Sequence, residues 1–103
     1  MITTKREMSL DKLAKVAQVL KTISHPVRLE ILEALEEEEP LAVGEILERV
    51  DAKVEQCMLS HHLIKMKDNG ILTSEKQGKH IYYSLTDRQV LNIFDCMEKC
   101  DFL

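Results

Sequence analysis

The sequence predicts a mainly α domain carrying one small β-hairpin, and three observations carry that prediction. Apolar residues recur at spacings of three and four through most of the chain, as helices with one buried face require. One segment, "ILTSEKQGKHIYYSL", changes to a period of two around a Gln77-Gly78-Lys79 turn, as a hairpin requires. Two short helical stretches are separated only by Asp51-Ala52-Lys53, the pattern of a helix-turn-helix. At 103 residues the chain makes one domain, residues 1–103, with 1–8 read as a flexible tail.

Each element has its own local reason. Ser9 is a good N-cap, and Leu10, Leu13, Ala14, Ala17, Leu20 and Ile23 follow on one face of a first helix ending near Ser24. His25-Pro26 breaks and restarts the chain, because proline suits a helix's first turn. Val27, Ile31, Leu32 and Leu35 form the buried face of the second helix. It runs into Glu36-Glu37-Glu38-Glu39 before Pro40, and glutamates at a helix C-terminus oppose its dipole. They read as a solvated, fraying end, with an acidic surface for a partner as the alternative.

Val43, Ile46, Leu47 and Val50 mark a short third helix. A fourth follows in "VEQCMLSHHLIKMKDNG", with Leu59, Leu63 and Met66 inward and Gly70 as its left-handed cap. Glu55 is a poor N-cap, so Asp51 is an alternative start for this helix. In the hairpin Ile81, Tyr83 and Leu85 alternate with Tyr82 and Ser84. Val90, Ile93, Phe94 and Met97 give a fifth helix. Four helices, a hairpin and a last helix make a winged helix-turn-helix. The terminal helices carry apolar stripes without obvious partners, and are expected to pair two copies; packing within one chain is the alternative.

Net charge is −4, which at first opposes nucleic-acid binding. Its distribution changes that. Residues 53–83 hold Lys53, Lys65, Lys67, Lys76 and Lys79 against Glu55, Asp68 and Glu75, and are net basic. A local basic face on an acidic chain is compatible with DNA. No run of 18 apolar residues predicts a membrane span, and "MITTKREMSLDK" does not resemble a secretory signal. The expected location is the cytoplasm. Three cysteines, at 57, 96 and 100, do not make a disulfide framework and are read as free thiols.

The stretch richest in reactive residue types is Cys57-Met58-Leu59-Ser60-His61-His62. A Cys57/His61 nucleophile pair is reachable at i, i+4, but it lacks an orienting third group and an oxyanion device. No enzyme activity is expected. A zinc site from Cys57, His61 and His62 is disfavoured, since adjacent residues stand about 100° apart on a helix. With Leu59, Leu63 and Met66 inward, Gln56, Cys57, Ser60 and His61 lie on the other side, where a helix meets base edges in the major groove. Gln56 is suited to adenine. Lys65, Lys67, Lys76 and Lys79 are expected to meet phosphates, with His80 near the wing tip. His62, beside the core face, is read as a packed, hydrogen-bonded histidine.

Three segments in register, "LKTISHPVRLEILEAL", "LSHHLIKMKDNGIL" and "GKHIYYSL", resemble the ArsR/SmtB family of winged-helix repressors, over roughly residues 10 to 95. The resemblance implies a homodimer that binds double-stranded DNA and often releases it to an inducer. Two metal-sensing patterns of that family are incomplete. Where one has Cys-x-Cys in the third helix, this chain has Ala42 and Gly44. Where another has Asp-x-His at the start of the last helix, this chain has Asp87-x-Gln89, with Cys100 near its end. No resident cofactor is expected. Cys96 and Cys100, at i, i+4 and stacked one turn apart, remain as candidates for a thiophilic metal ion or a thiol oxidant. The plain alternative is that they are packing residues. Cys57 could join them only if the last helix of one subunit reached the fourth helix of the other. A winged-helix module that binds protein instead of DNA is the alternative function.

Overall fold

The computed structural model describes residues 6–103. Its elements are α1 (Leu10–Ile23), α2 (Pro26–Glu37), β1 (Leu41–Ala42), α3 (Val43–Arg49), α4 (Gln56–Asp68), β2 (Leu72–Gln77), β3 (His80–Leu85), a 3-10 turn (Arg88–Leu91) and α5 (Asn92–Glu98). The expected mainly α winged helix-turn-helix is present. Of the expected tail, residues 1–5 lie outside the described residues, and 6–8 are exposed and non-helical.

The core sits where α2 crosses α4. Ile31, Leu32 and Leu35 from α2 meet Leu59, Leu63 and Met66 from α4, with Ile46, Leu41 and Leu72 closing the sides; all are essentially inaccessible. Each such side chain contributes about 1.5–3 kcal/mol of burial. The ends of these helices are set locally. Ser9 Oγ accepts from the Lys12 amide, and His25 Nδ1 accepts from the Val27 amide ahead of Pro26. At the end of α4 the Gly70 amide donates to the Lys67 carbonyl and the Ile71 amide to that of Met66. This is a Schellman motif, and it needs the positive φ that Gly70 adopts.

The hairpin pairs Leu72 with Leu85 through Gln77 with His80, closing at Gly78. That register turns Tyr83 and Leu85 into the core and leaves Ile81 exposed at the tip. A strand that the periodicity did not signal joins it: Leu41 pairs with Tyr83 and Ala42 with Tyr82, making a three-stranded sheet of order β1-β3-β2. Two residues are too few to show a period.

Three sequence expectations are corrected. The glutamate run is not simply a fraying end. Arg49 pairs with Glu38 at 2.6 Å. Glu39 accepts from the Leu85 amide at 2.9 Å and pairs with Arg88, whose guanidinium also donates to the Glu36 carbonyl. The run thus ties α2 to α3, the wing and the last helical segment. Asp51 does not begin α4. Residues 50–55 form the turn, and α4 starts at Gln56 with Glu55 as an N-cap that offers no side-chain bond. The last helix is broken: Asp87 caps a 3-10 turn, α5 follows, and it ends at Glu98. Cys100 lies in the turn beyond α5, so Cys96 and Cys100 do not stack on one helix.

Candidate nucleic-acid interface

α4 has one buried side and one exposed side. Leu59, His62, Leu63 and Met66 are buried. The opposite stripe, at spacings of four, three and four, is Cys57, His61, Ile64 and Asp68, all exposed. Ser60 is half-buried at the edge of this stripe, while Gln56 and Lys65 are exposed beside it. The helix is therefore pinned by its core face and presents its first turns outward.

The wing stands over the start of α4. Gln56, Lys79 and His80 line one open groove of about 570 Å³, together with Tyr82, Glu45 and Glu48. Three of the sequence-predicted residues are thus brought together from sites distant in the chain. Lys76 is exposed on the wing, two places from its tip. Lys65 and Lys67 sit in the last turn of α4, and neither lines the groove. The carboxylates of Glu45 and Glu48 make the groove less basic than its lysine suggests. Glu45 is engaged locally, accepting from the Ala42 amide at 2.9 Å.

Two exposed apolar side chains on α4 were not among the predicted contacts: Met58 and Ile64, each 49% accessible. Ile64 follows Leu63 and reads as core in a linear scan; a helical wheel drawn from Leu59, Leu63 and Met66 places it outward.

The turn before α4 is held from α2. The Glu30 carboxylate accepts from the Asp51 amide at 2.6 Å and the Ala52 amide at 3.1 Å. Arg28 performs a related role on the other side. Its Nη1 donates to the Thr22 carbonyl at 2.8 Å and its Nε to His62 Nδ1 at 3.0 Å. His62 is the packed, hydrogen-bonded histidine that the sequence predicts, 7% accessible. Burial, and then the charges of His25, Arg28 and His61, hold its pKa below the ordinary imidazole value.

The Cys57 thiol donates to Glu55 at 3.9 Å and makes no hydrogen bond to His61. Among the described residues no group of three or more His, Cys, Asp or Glu side chains is placed to hold a metal ion. Cys96 is exposed and Cys100 half-buried. No described helix is long and apolar enough to cross a membrane.

A helix-turn-helix held against a three-stranded wing, with α4 presented outward, defines a winged helix-turn-helix domain. Comparison with known proteins agrees. A family model described as a helix-turn-helix domain matches residues 23–75. The transcriptional repressor PagR of Bacillus anthracis is 38% identical over 77 residues, covering 75% of each chain. Its crystal structure superposes with a TM-score of 0.73 over 86% of this chain and 99% of that one. The cadmium resistance regulatory protein CadC of Listeria innocua is 36% identical over 80 residues, 78% of this chain but 66% of its own length. A winged helix-turn-helix domain from Mycobacterium bovis, described as homodimeric, shares the fold with a TM-score of 0.73 at 23% identity. The chain belongs to the ArsR/SmtB family of winged-helix transcriptional regulators.

Proposed function

We propose that this chain is a sequence-specific, double-stranded DNA-binding repressor acting as a homodimer in the cytoplasm. The observation that carries this reading is the open groove that Gln56, at the start of α4, lines together with Lys79 and His80 of the wing. A helix entering the major groove reads bases with its first turns, while a flanking wing meets the backbone. Gln56, Cys57, Ser60 and His61 are assigned to the bases and Lys65, Lys67, Lys76, Lys79 and His80 to phosphates. Ile64 adds an apolar surface of the kind that suits a thymine methyl group. No catalytic role is assigned to Cys57 or His61.

Dimerisation through the terminal helices follows from exposure. Leu10, Leu13 and Leu20 of α1 are exposed, and Leu20, Ile23, Leu29, Ile93, Phe94 and Met97 line an apolar groove of about 310 Å³. Two copies joined there would set their α4 helices about 34 Å apart, in successive major grooves. No resident cofactor is assigned. A thiophilic metal ion or a thiol oxidant acting on this chain as an inducer would meet Cys96 on α5 and Cys100 in the turn beyond it, two thiols that do not share one helix. Replacing both by serine is expected to abolish any release of DNA by cadmium, arsenite or diamide; release that survives would remove the assignment.

The test of the main reading is enrichment of duplexes from a random-sequence pool, followed by fluorescence anisotropy at about 50 and about 200 mM salt. A specific dissociation constant on the order of 10⁻⁸–10⁻¹¹ M, steep in salt and weakened by Gln56→Ala, is expected. A pool from which nothing is enriched would overturn it, in favour of a winged helix that contacts protein.

A further inference from the structure

We propose that Arg28 and His62 are positioning residues that hold α4 in its DNA-reading orientation, and that they do so only while the His62 imidazole is uncharged. The proposal rests on the DNA-binding reading for its consequence, though not for the lock itself.

The lock is a short chain of hydrogen bonds across three helices. Arg28, in the first turn of α2, donates Nη1 to the carbonyl of Thr22 in the last turn of α1. It donates Nε to His62 Nδ1 in the middle of α4. Arginine has only donors, so His62 Nδ1 must keep its lone pair. A proton there would set N–H against N–H inside a buried contact. Beside it, the exposed His25 caps α2, its Nδ1 accepting from the Val27 amide. The two rings lie 4.5 Å apart between centroids, tilted by 51°.

The groups around the His62 ring offer a proton on it no compensation. The charged or titratable groups acting on His62 are His25 and Arg28 from α2 and His61 from α4 itself, and all of them oppose its protonation. Through Arg28, α1 contributes only the carbonyl of Thr22. No carboxylate of α1, α3 or β2 acts on the ring. Burial and these three neighbours lower the His62 pKa below the ordinary 6.5. The unfolded chain therefore binds more protons in that range. The stabilisation is present above pH 6.5, and is lost as pH falls from there through the folded value.

His61 and His80 are exposed on the DNA-facing side, where they act on binding directly and not through the lock. The lock is therefore read in a His61→Gln/His80→Gln background. The probe is a duplex enriched from the random pool, titrated by anisotropy between about pH 7.5 and about pH 5.5. Affinity is expected to fall several-fold toward acid. His62→Gln offers Arg28 a neutral acceptor, and should flatten that fall while retaining affinity near neutrality. Arg28→Lys should weaken binding even at neutral pH, since an ammonium does not reproduce the fork.

A second readout needs neither DNA nor a variant that must fold. In the unmutated free protein, the His62 ring resonance should titrate below pH 6.5, and α4 amide shifts should move with the same midpoint. A His62 ring titrating at the ordinary value, or one titrating without any response in α4, would overturn the lock. So would equal pH slopes in the background protein and its His62→Gln derivative. A chain that enriches no DNA yet shows the coupled titration would overturn the DNA-binding reading and leave the lock standing.

Discussion

Replacing Glu30 by alanine should destabilise the domain by about 2–3 kcal/mol, although the side chain belongs to neither α3 nor α4. Its two oxygens accept from consecutive amides, those of Asp51 and Ala52, at 2.6 and 3.1 Å. A hydrogen bond to a charged acceptor is worth about 1.5–3 kcal/mol. The Asp51 position is exposed, so water replaces much of the first bond; Ala52 is half-buried, so its orphaned donor carries a desolvation cost. The sum therefore lies near one full bond rather than two. For a domain of this size the melting temperature should fall by about 8–24 °C, compared at one fixed protomer concentration. Glu30→Gln keeps one acceptor oxygen and should lose about half as much. Amide exchange should quicken first at Asp51 and Ala52, because only the turn loses its anchor. A fall below about 2 °C with unchanged exchange at those two amides would refute the reasoning.

Other substitutions separate backbone, core and electrostatic contributions. Gly70→Ala should cost about 1–2 kcal/mol in urea unfolding, from backbone conformation alone, because φ is +79° and nothing lies within 4 Å of the added carbon. Leu63→Ala empties a fully buried site between α4 and α2 and should cost about 2–5 kcal/mol by the same assay. Lys79→Ala should reduce the slope of log K against log salt by about 0.9, with little change in which duplexes are preferred. For Ile64, replacing operator thymines by deoxyuridine should weaken the parent chain but leave Ile64→Ala indifferent at the thymine it meets, since only the methyl group is removed.

Much of this fold was legible from local chemistry. Ser9, Pro26, Gly70 and Gly78 stand where their backbones require a cap, a first turn or a positive φ, and these needs are met within a few residues. The alternation through Ile81, Tyr83 and Leu85 placed the wing, although Ile81 itself stays exposed because it lies near the tip, beyond the core. The side of α4 that faces outward followed from three inward residues. His62 was legible as packed, because its position on the wheel adjoins Leu59 and Leu63. The continuous last helix was misread because apolar spacing does not distinguish an α-helical start from a 3-10 turn.

Sequence alone thus determined the first four helices, the hairpin, their order and the exposed face of the reading helix, because periodicity, capping and turn chemistry act over short stretches of chain. Tertiary structure alone decided what holds those elements together. Glu30 meets the turn 21 residues away, Arg28 meets His62 at a separation of 34, and Glu39 meets Leu85 at 46. Each is a polar side chain whose partner is fixed by the packing of distant elements, and nothing in its own neighbourhood distinguishes it from a solvated residue. The same holds for the groove joining Gln56 to Lys79 and His80. Its charge balance depends on Glu45 and Glu48, which only the docking of α3 against the wing brings to the same face.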